Sequence, residues 1–157
     1  SSDVCSSDLN IPRRYASEVY KKGGFQALDS LSESEKKWIA PLPVKFDLEL
    51  SQYKNMLEMM GDHGSIDMVK AQAIKDATMG FFISSNMKEN HQFIHFNGSY
   101  HSDFYQGIMW YLNTYNPTLK ISTITIVEQE NIYKLESENL MKADFIICVD
   151  TDVTKTY

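Results

Sequence analysis

The stretch from residue 92 to residue 127 constrains the fold more than any other. "QFIHF" (92–96) and "KISTITIV" (120–127) are rich in β-branched and aromatic residues. Between them "DFYQGIMWYLNTY" (103–115) reads as a helix, ended near Asn116-Pro117. Two strands joined through a helix must run parallel, with a right-handed crossover. A third run, "DFIICV" (144–149), is almost all apolar, the pattern of a strand covered on both faces. The expected class is α/β: a parallel sheet flanked by helices, with a helix-rich insertion in the front half.

That front half is punctuated clearly. "NIPRRYASEVYKKGG" (10–24) starts with Pro12 in a first turn and stops at Gly23-Gly24. "SESEKKWIA" (32–40) opens on a capping box, Ser32 with Glu35. "PLPVKF" (41–46) is extended by its prolines, and "LELSQYKNMLEMMG" (48–61) is a helix ended by Gly61. Ser65 caps the clearest helix, 66–87, where Ile66, Val69, Ala73, Ala77 and Phe81 form one apolar stripe.

Residues 1–9, "SSDVCSSDL", carry no helix or strand period and look like a translated sequencing adaptor. Setting them aside as an artefact leaves 10–157 as the C-terminal part of a single domain, incomplete at its N-terminus, with an unprotected sheet edge. Without Asp3 and Asp8 the net charge is −4 rather than −6. A mildly acidic chain without a Lys/Arg block argues against nucleic acid as partner. Cys148, left alone once Cys5 is set aside, offers no disulfide and no cysteine-based metal site; a buried core thiol is the ordinary reading.

Chemistry in a parallel sheet gathers at the carboxyl ends of strands. "FNGSYHSDFYQG" (96–107) is such a place. Gly98 permits positive φ at the turn, and His101 follows just before a helix expected from Asp103, whose free N–H groups favour an anion. His101 is thus a functional candidate, or else a residue that caps the turn. His91 and His95 would lie about 13 Å apart on a strand, too far to share a metal, with His95 packed there. Gln72 and Asp76 share a helix face, with Lys75 beside it. That polar side is either solvated or turned toward the His101 loop. Tyr100 and Tyr105 flank His101, and tyrosinate is one of the groups that can hold ferric haem.

These residues carry a resemblance. "NGSYHSDFYQGI" resembles the G-x-x-H segment of the ChaN-like haem-binding uptake family of the Tiki superfamily, matched at Gly98, His101 and Gly107. "AQAIKDATMG" resembles the family's A-Q-x-x-R-D-x-x-M-A at Ala71, Gln72, Asp76 and Met79, with Lys75 in place of arginine and Gly80 in place of alanine. "NIPRRYA" resembles N-x-P-R-x-x-A at Asn10, Pro12, Arg13 and Ala16.

The resemblance implies a non-enzymatic haem-binding protein for iron and haem uptake. It also implies a bacterial lipoprotein of the cell envelope, membrane-attached only through a lipid anchor, that can form a homodimer. Haem would be the cofactor. Family members hold haem through a tyrosine, so Tyr100 or Tyr105 would be the axial ligand; Gly98, His101, Gln72 and Asp76 would shape the site, and Arg13, Arg14 and Lys75 would meet the propionates. The alternative is a metal-dependent hydrolase of the same superfamily, in which His101 binds a divalent metal or acts as general base. The superfamily's earlier G-x-x-H segment would lie before Asn10.

Overall fold

The computed structural model describes residues 9–154; most of the segment set aside as an artefact, residues 1–8, lies outside them. Helix α1 (Arg13–Lys21) leads through a 3₁₀ turn, Phe25–Leu28, to the short α2 (Glu33–Lys36). Then follow α3 (Ser51–Met60), α4 (Ile66–Asn86) and α5 (Ile108–Tyr115). Strands β1 (Ile124–Glu128) and β2 (Phe145–Val149) complete the described fold.

Helix α4 is the axis of the molecule, and α1, α3 and α5 pack on it. Ser65 caps it as its sequence predicts, its hydroxyl accepting from the Met68 N–H at 3.2 Å. The apolar spacing then places Ala71, Ile74 and Ala77 against Tyr15, Val19 and Tyr111 in the main core. Farther along, Met79 and Ile83 pack on Ile108, Leu112 and Leu9. Leu9, the last residue of the segment set aside, is therefore buried. Gly80 lets α5 come close: a Cβ there would stand 2.9 Å from the Cβ of Tyr111. Val69 and Ala73 meet Tyr53 of α3 in a third cluster.

The front half follows its punctuation. Gly23 and Gly24 hold positive φ (85° and 91°) after α1. The capping box forms, Ser32 N–H donating to Glu35 Oε2 at 3.0 Å. The helix it caps is shorter than the sequence suggests, only Glu33–Lys36, because Pro41 and Pro43 draw the chain out into the extended 41–46 segment.

The sheet departs from expectation. β1 and β2 pair in parallel, with Ile124 opposite Phe145 and Ile126 opposite Ile147. "QFIHF" joins no ladder among the described residues and is extended chain rather than a strand. Its side chains still alternate: Phe93 and His95 are half-buried, while Ile94 and Phe96 are 58% and 80% exposed. It has the pleat of a strand without a partner, so the parallel pair is formed by the second and third runs instead. The β1–β2 connection carries one 3₁₀ turn, Ser137–Asn139, and no α-helix. Gln129 organises it, donating to the carbonyls of Asn131 and Lys134 and accepting from Glu136 N–H and Asn139 Nδ2.

β2 is not covered on both faces either. Phe145 and Ile147 stand exposed beside Ile124 and Ile126, because no described helix lies over that side. Cys148 is half-buried rather than a core thiol.

Candidate functional site

His101 ends a short 3₁₀ turn, Ser99–His101. Asn97 stabilises this turn, its amide donating to the Gly98 carbonyl at 2.8 Å and to Ser102 Oγ at 2.9 Å. Gly98 itself has φ −65°, so the positive φ expected there is not used. The glycine the loop requires is Gly107. It has φ +54°, and a Cβ there would strike the His101 carbonyl and come 3.3 Å from Asp76 Oδ2. The helix expected from Asp103 begins only at Ile108, after a second 3₁₀ turn, Asp103–Tyr105. Its N-cap, Gly107, nevertheless packs against the His101 carbonyl.

Two consecutive non-glycine residues of that turn, Phe104 and Tyr105, are left-handed (φ 58° and 59°). Bonds on both sides hold them there. Gln52 Nε2 donates to the Asp103 carbonyl at 2.5 Å, Thr125 Oγ1 donates to Asp103 Oδ1 at 2.9 Å, and Phe104 N–H donates to the Lys142 carbonyl at 2.8 Å.

The loop delivers His101 onto α4. Its Nδ1 lies 2.5 Å from Asp76 Oδ1, and Tyr53 donates its hydroxyl to Asp76 Oδ2 at 2.9 Å. Asp76 is fully buried, whereas the His101 side chain keeps 18% of its exposure. Gln72 Nε2 lies 2.9 Å from the same Nδ1 and 3.4 Å from Nε2; with the Nδ1 proton given to Asp76, only Nε2 retains a lone pair that could accept from an amide. Gln72 and Asp76 are one turn apart on α4, so a single helix face grips the ring from two sides. Burial pushes the Asp76 carboxyl above its ordinary range, while the bonds from His101 and Tyr53 act in the opposite sense. Burial and the nearby Asp76 charge raise the Tyr53 and Tyr111 phenols well above theirs. The result is a closed His–Asp–Tyr network with a narrow opening at the imidazole.

Gln72 also faces a groove of about 410 Å³ between α1, α3 and α4. Arg13 and Lys75 line it, together with Tyr20, Met56, Met60 and Met68. Neither cation makes an ion pair or hydrogen bond among the described residues. Arg14, one residue on, turns away and donates to Tyr15 Oη at 2.6 Å. Tyr100 and Tyr105 lie outside the groove: Tyr100 donates to Met59 Sδ at 3.0 Å and Tyr105 to Asp144 Oδ1 at 3.2 Å.

The structure thus gathers Arg13, Gln72, Lys75, Asp76 and His101 into one region and leaves Arg14, Tyr100 and Tyr105 apart from it. Tyr53 and the three groove methionines escaped sequence reasoning. The α1 face Arg13, Ala16, Ser17, Tyr20 has the helical spacing that could have shown half of the groove.

His95 occupies a different environment. It is on extended chain rather than a strand and lines a cavity of about 140 Å³ with Phe93, Asn97 and Thr123. Both its ring nitrogens are buried without a hydrogen-bond partner among the described residues. Burial lowers its pKa from the ordinary imidazole value, and the charge of nearby His101 lowers it further.

Among the described residues no group of three or more His, Cys, Asp or Glu is placed to hold a metal ion. No described helix is long and apolar enough to cross a membrane. A family model described as "Haem-binding uptake, Tiki superfamily, ChaN" matches residues 7–112. No curated protein and no solved structure matches the chain.

Proposed function

The chain belongs to the ChaN haem-binding uptake family of the Tiki superfamily, and from that premise we propose that it binds haem for iron and haem uptake without catalysing a reaction of its own. The groove between α1, α3 and α4 carries this reading. Its volume falls within the ~300–1,000 Å³ common for small-molecule sites, and its residues suit the ligand's two chemistries. Methionines and small residues offer an apolar wall for a macrocycle. Arg13 and Lys75 offer unpaired cations to two propionates. His101, fixed by Asp76 and linked to the groove through Gln72, shapes the inner wall.

A cell-envelope location, a lipid anchor and a homodimer belong to the same proposal. Fractionation of cells producing the full-length protein checks the first two, and sedimentation with and without hemin checks the third. The binding reading itself is tested by titrating hemin and following the Soret band. Saturable binding that weakens in Arg13→Gln and Lys75→Gln is expected; no spectral change on hemin addition would sink the reading.

The His101–Asp76 pair supports a second reading. An imidazole oriented through Nδ1 by a buried carboxylate is equipped to act at Nε2 as general base, or to hold a divalent metal in a hydrolase. Turnover of ester or peptide substrates that disappears in His101→Ala would favour this reading over haem binding.

A further inference from the structure

The cavity beside His95 has two kinds of wall. Its helical side is wholly apolar: Ile83 of α4, and Ile108, Met109 and Leu112 of α5. The other side comes from three non-helical stretches, and these carry the polar atoms. His95 and Asn97 lie on the extended segment, Ser102 on the loop after it, and Ser122 and Thr123 just before β1. No Lys, Arg, Asp or Glu lines the cavity.

Most of the polar atoms are already committed. Asn97 donates to the Gly98 carbonyl and to Ser102 Oγ. Thr123 Oγ1 donates to Asp144 Oδ2 at 3.0 Å and accepts from Asp144 N–H at 3.1 Å. The two ring nitrogens of His95 differ: they are buried and have no partner among the described residues. Burial holds that ring below the ordinary imidazole pKa, so at pH 7.5 it is neutral and offers one donor and one acceptor. No described neighbour fixes its tautomer, so either nitrogen can be the acceptor.

Size decides what can fill the space. About 140 Å³ falls below the ~300–1,000 Å³ of ordinary small-molecule and cofactor sites. It is close to the ~150 Å³ that takes one benzene ring. Water molecules fit at ~30 Å³ each, but each needs roughly 2–4 polar partners, and the wall of α4 and α5 has none to give. A molecule with an apolar body and one hydrogen-bonding group answers both walls at once.

From the cavity's volume, its apolar wall and the two unpartnered His95 nitrogens, we propose that it is a second binding site, for a neutral molecule the size of one ring that carries a hydroxyl: the monocyclic phenol class. The ring lies against Ile108, Met109 and Leu112, and the hydroxyl donates to a His95 nitrogen. The site shares no lining residue with the groove between α1, α3 and α4. It stands apart from the haem reading.

The test titrates the whole chain at pH 7.5 with phenol, with toluene, which has the same size but no hydroxyl, and with benzoate. Binding is followed by NMR through the methyl groups of Ile83, Ile108 and Leu112 and the ring of His95. Saturable shifts at these residues are expected with phenol. Benzoate is expected not to bind, since its charge would enter a cavity without a cation. His95→Leu is expected to weaken phenol about tenfold, because its hydroxyl loses the acceptor, and to leave toluene within about threefold. Ser122→Phe, which adds a ring at an exposed lining position, is expected to abolish phenol binding and answers the question if His95→Leu does not fold.

Absence of saturable phenol shifts at these residues would overturn the inference, as would phenol shifts confined to the methionines of the groove. Binding of toluene without phenol, or equal losses of both in His95→Leu, would overturn it too, by showing a cavity in which His95 takes no part. The hemin titration reports on a different place, and its failure would leave this inference standing.

Discussion

His95 and His101 lie six residues apart on one loop and end in opposite states. His101 reaches α4, where Asp76 and Gln72 both stand within bonding distance of its ring and Tyr53 completes the carboxylate. His95 faces a small cavity with neither nitrogen satisfied. Residue type and neighbourhood in sequence are therefore poor guides to what a histidine does. The decisive factor is whether a buried group of opposite character stands across from it. A committed ring is held in one orientation and can be used; an orphaned ring costs stability where it stands.

The comparison breaks most sharply at Asp76. Asp76→Ala would leave His101 and the Tyr53 hydroxyl facing an empty buried site. Removing one partner from a buried pair costs about 3–5 kcal/mol, so urea unfolding should show a loss of about 4 kcal/mol. His95→Ala should cost far less. Comparable losses at the two positions would erase the distinction drawn between them.

The next largest effect is expected at Gly107, on which the His101 arm alone depends. Gly107→Ala must hold an L-residue at φ +54° and push the His101 carbonyl aside. Strain of ~1–3 kcal/mol from the backbone and a similar amount from overpacking together predict a loss of about 3 kcal/mol. Gly98→Ala, at φ −65° with nothing within 4 Å of a Cβ, should change stability little. Denaturant unfolding of both variants measures the contrast.

The two glycines also show where the sequence was legible. Local signals read well: the Ser32–Glu35 box, the Ser65 cap and the middle of the α4 stripe, Val69, Ala73 and Ala77, each depend on neighbours within a turn or two, whereas Ile66 at the stripe's start is exposed. The parallel β1–β2 pair lies within the second and third apolar runs. Reading failed where the outcome depended on a partner distant in sequence. "QFIHF" has strand composition and strand alternation, yet pairing needs another chain segment beside it. Gly98 carries the expected turn residue, but the positive φ falls at Gly107 because α5 must start close beneath the His101 carbonyl. Among site residues, Gln72 and Asp76 could be grouped by their one-turn spacing. Tyr53 could not be attached to them, since it reaches Asp76 from 23 positions away. Tyr100 and Tyr105 flank His101 in sequence, and in the structure their phenols bond Met59 and Asp144.

Tyr53 sharpens the comparison more gently. Tyr53→Phe keeps the ring that stacks on Phe46, with centroids 5.9 Å apart, and removes only the hydroxyl. One buried carboxylate oxygen loses its donor while His101 retains the other. A cost of about 1–2 kcal/mol is expected, since leaving a buried acceptor unpaired costs ~1–3 kcal/mol. The Asp76 carboxyl should also rise further, because a bond that lowers its pKa has gone. Infrared observation of the carboxyl C=O stretch against pH checks that direction.

The smallest effect has the opposite sign. His95→Leu replaces two unpaired buried nitrogens with apolar carbon in a pocket that already holds Phe93, Ile108 and Leu112. A gain of about 1 kcal/mol at pH 7.5 is expected from relieving the unpaired groups. The pH dependence makes the test specific. Burial lowers the imidazole pKa in the folded state, so the unfolded chain binds the proton more readily. Stability tied to His95 is complete above the ordinary value of about 6.5 and is lost as pH falls through it toward the depressed folded value. The advantage of His95→Leu should therefore grow as the buffer is taken from pH 7.5 to 5.5. Taking the difference between variant and parent at each pH cancels the titrations that the two share. A constant or shrinking difference would mean that His95 has found a partner or open water, and the contrast with His101 would not hold.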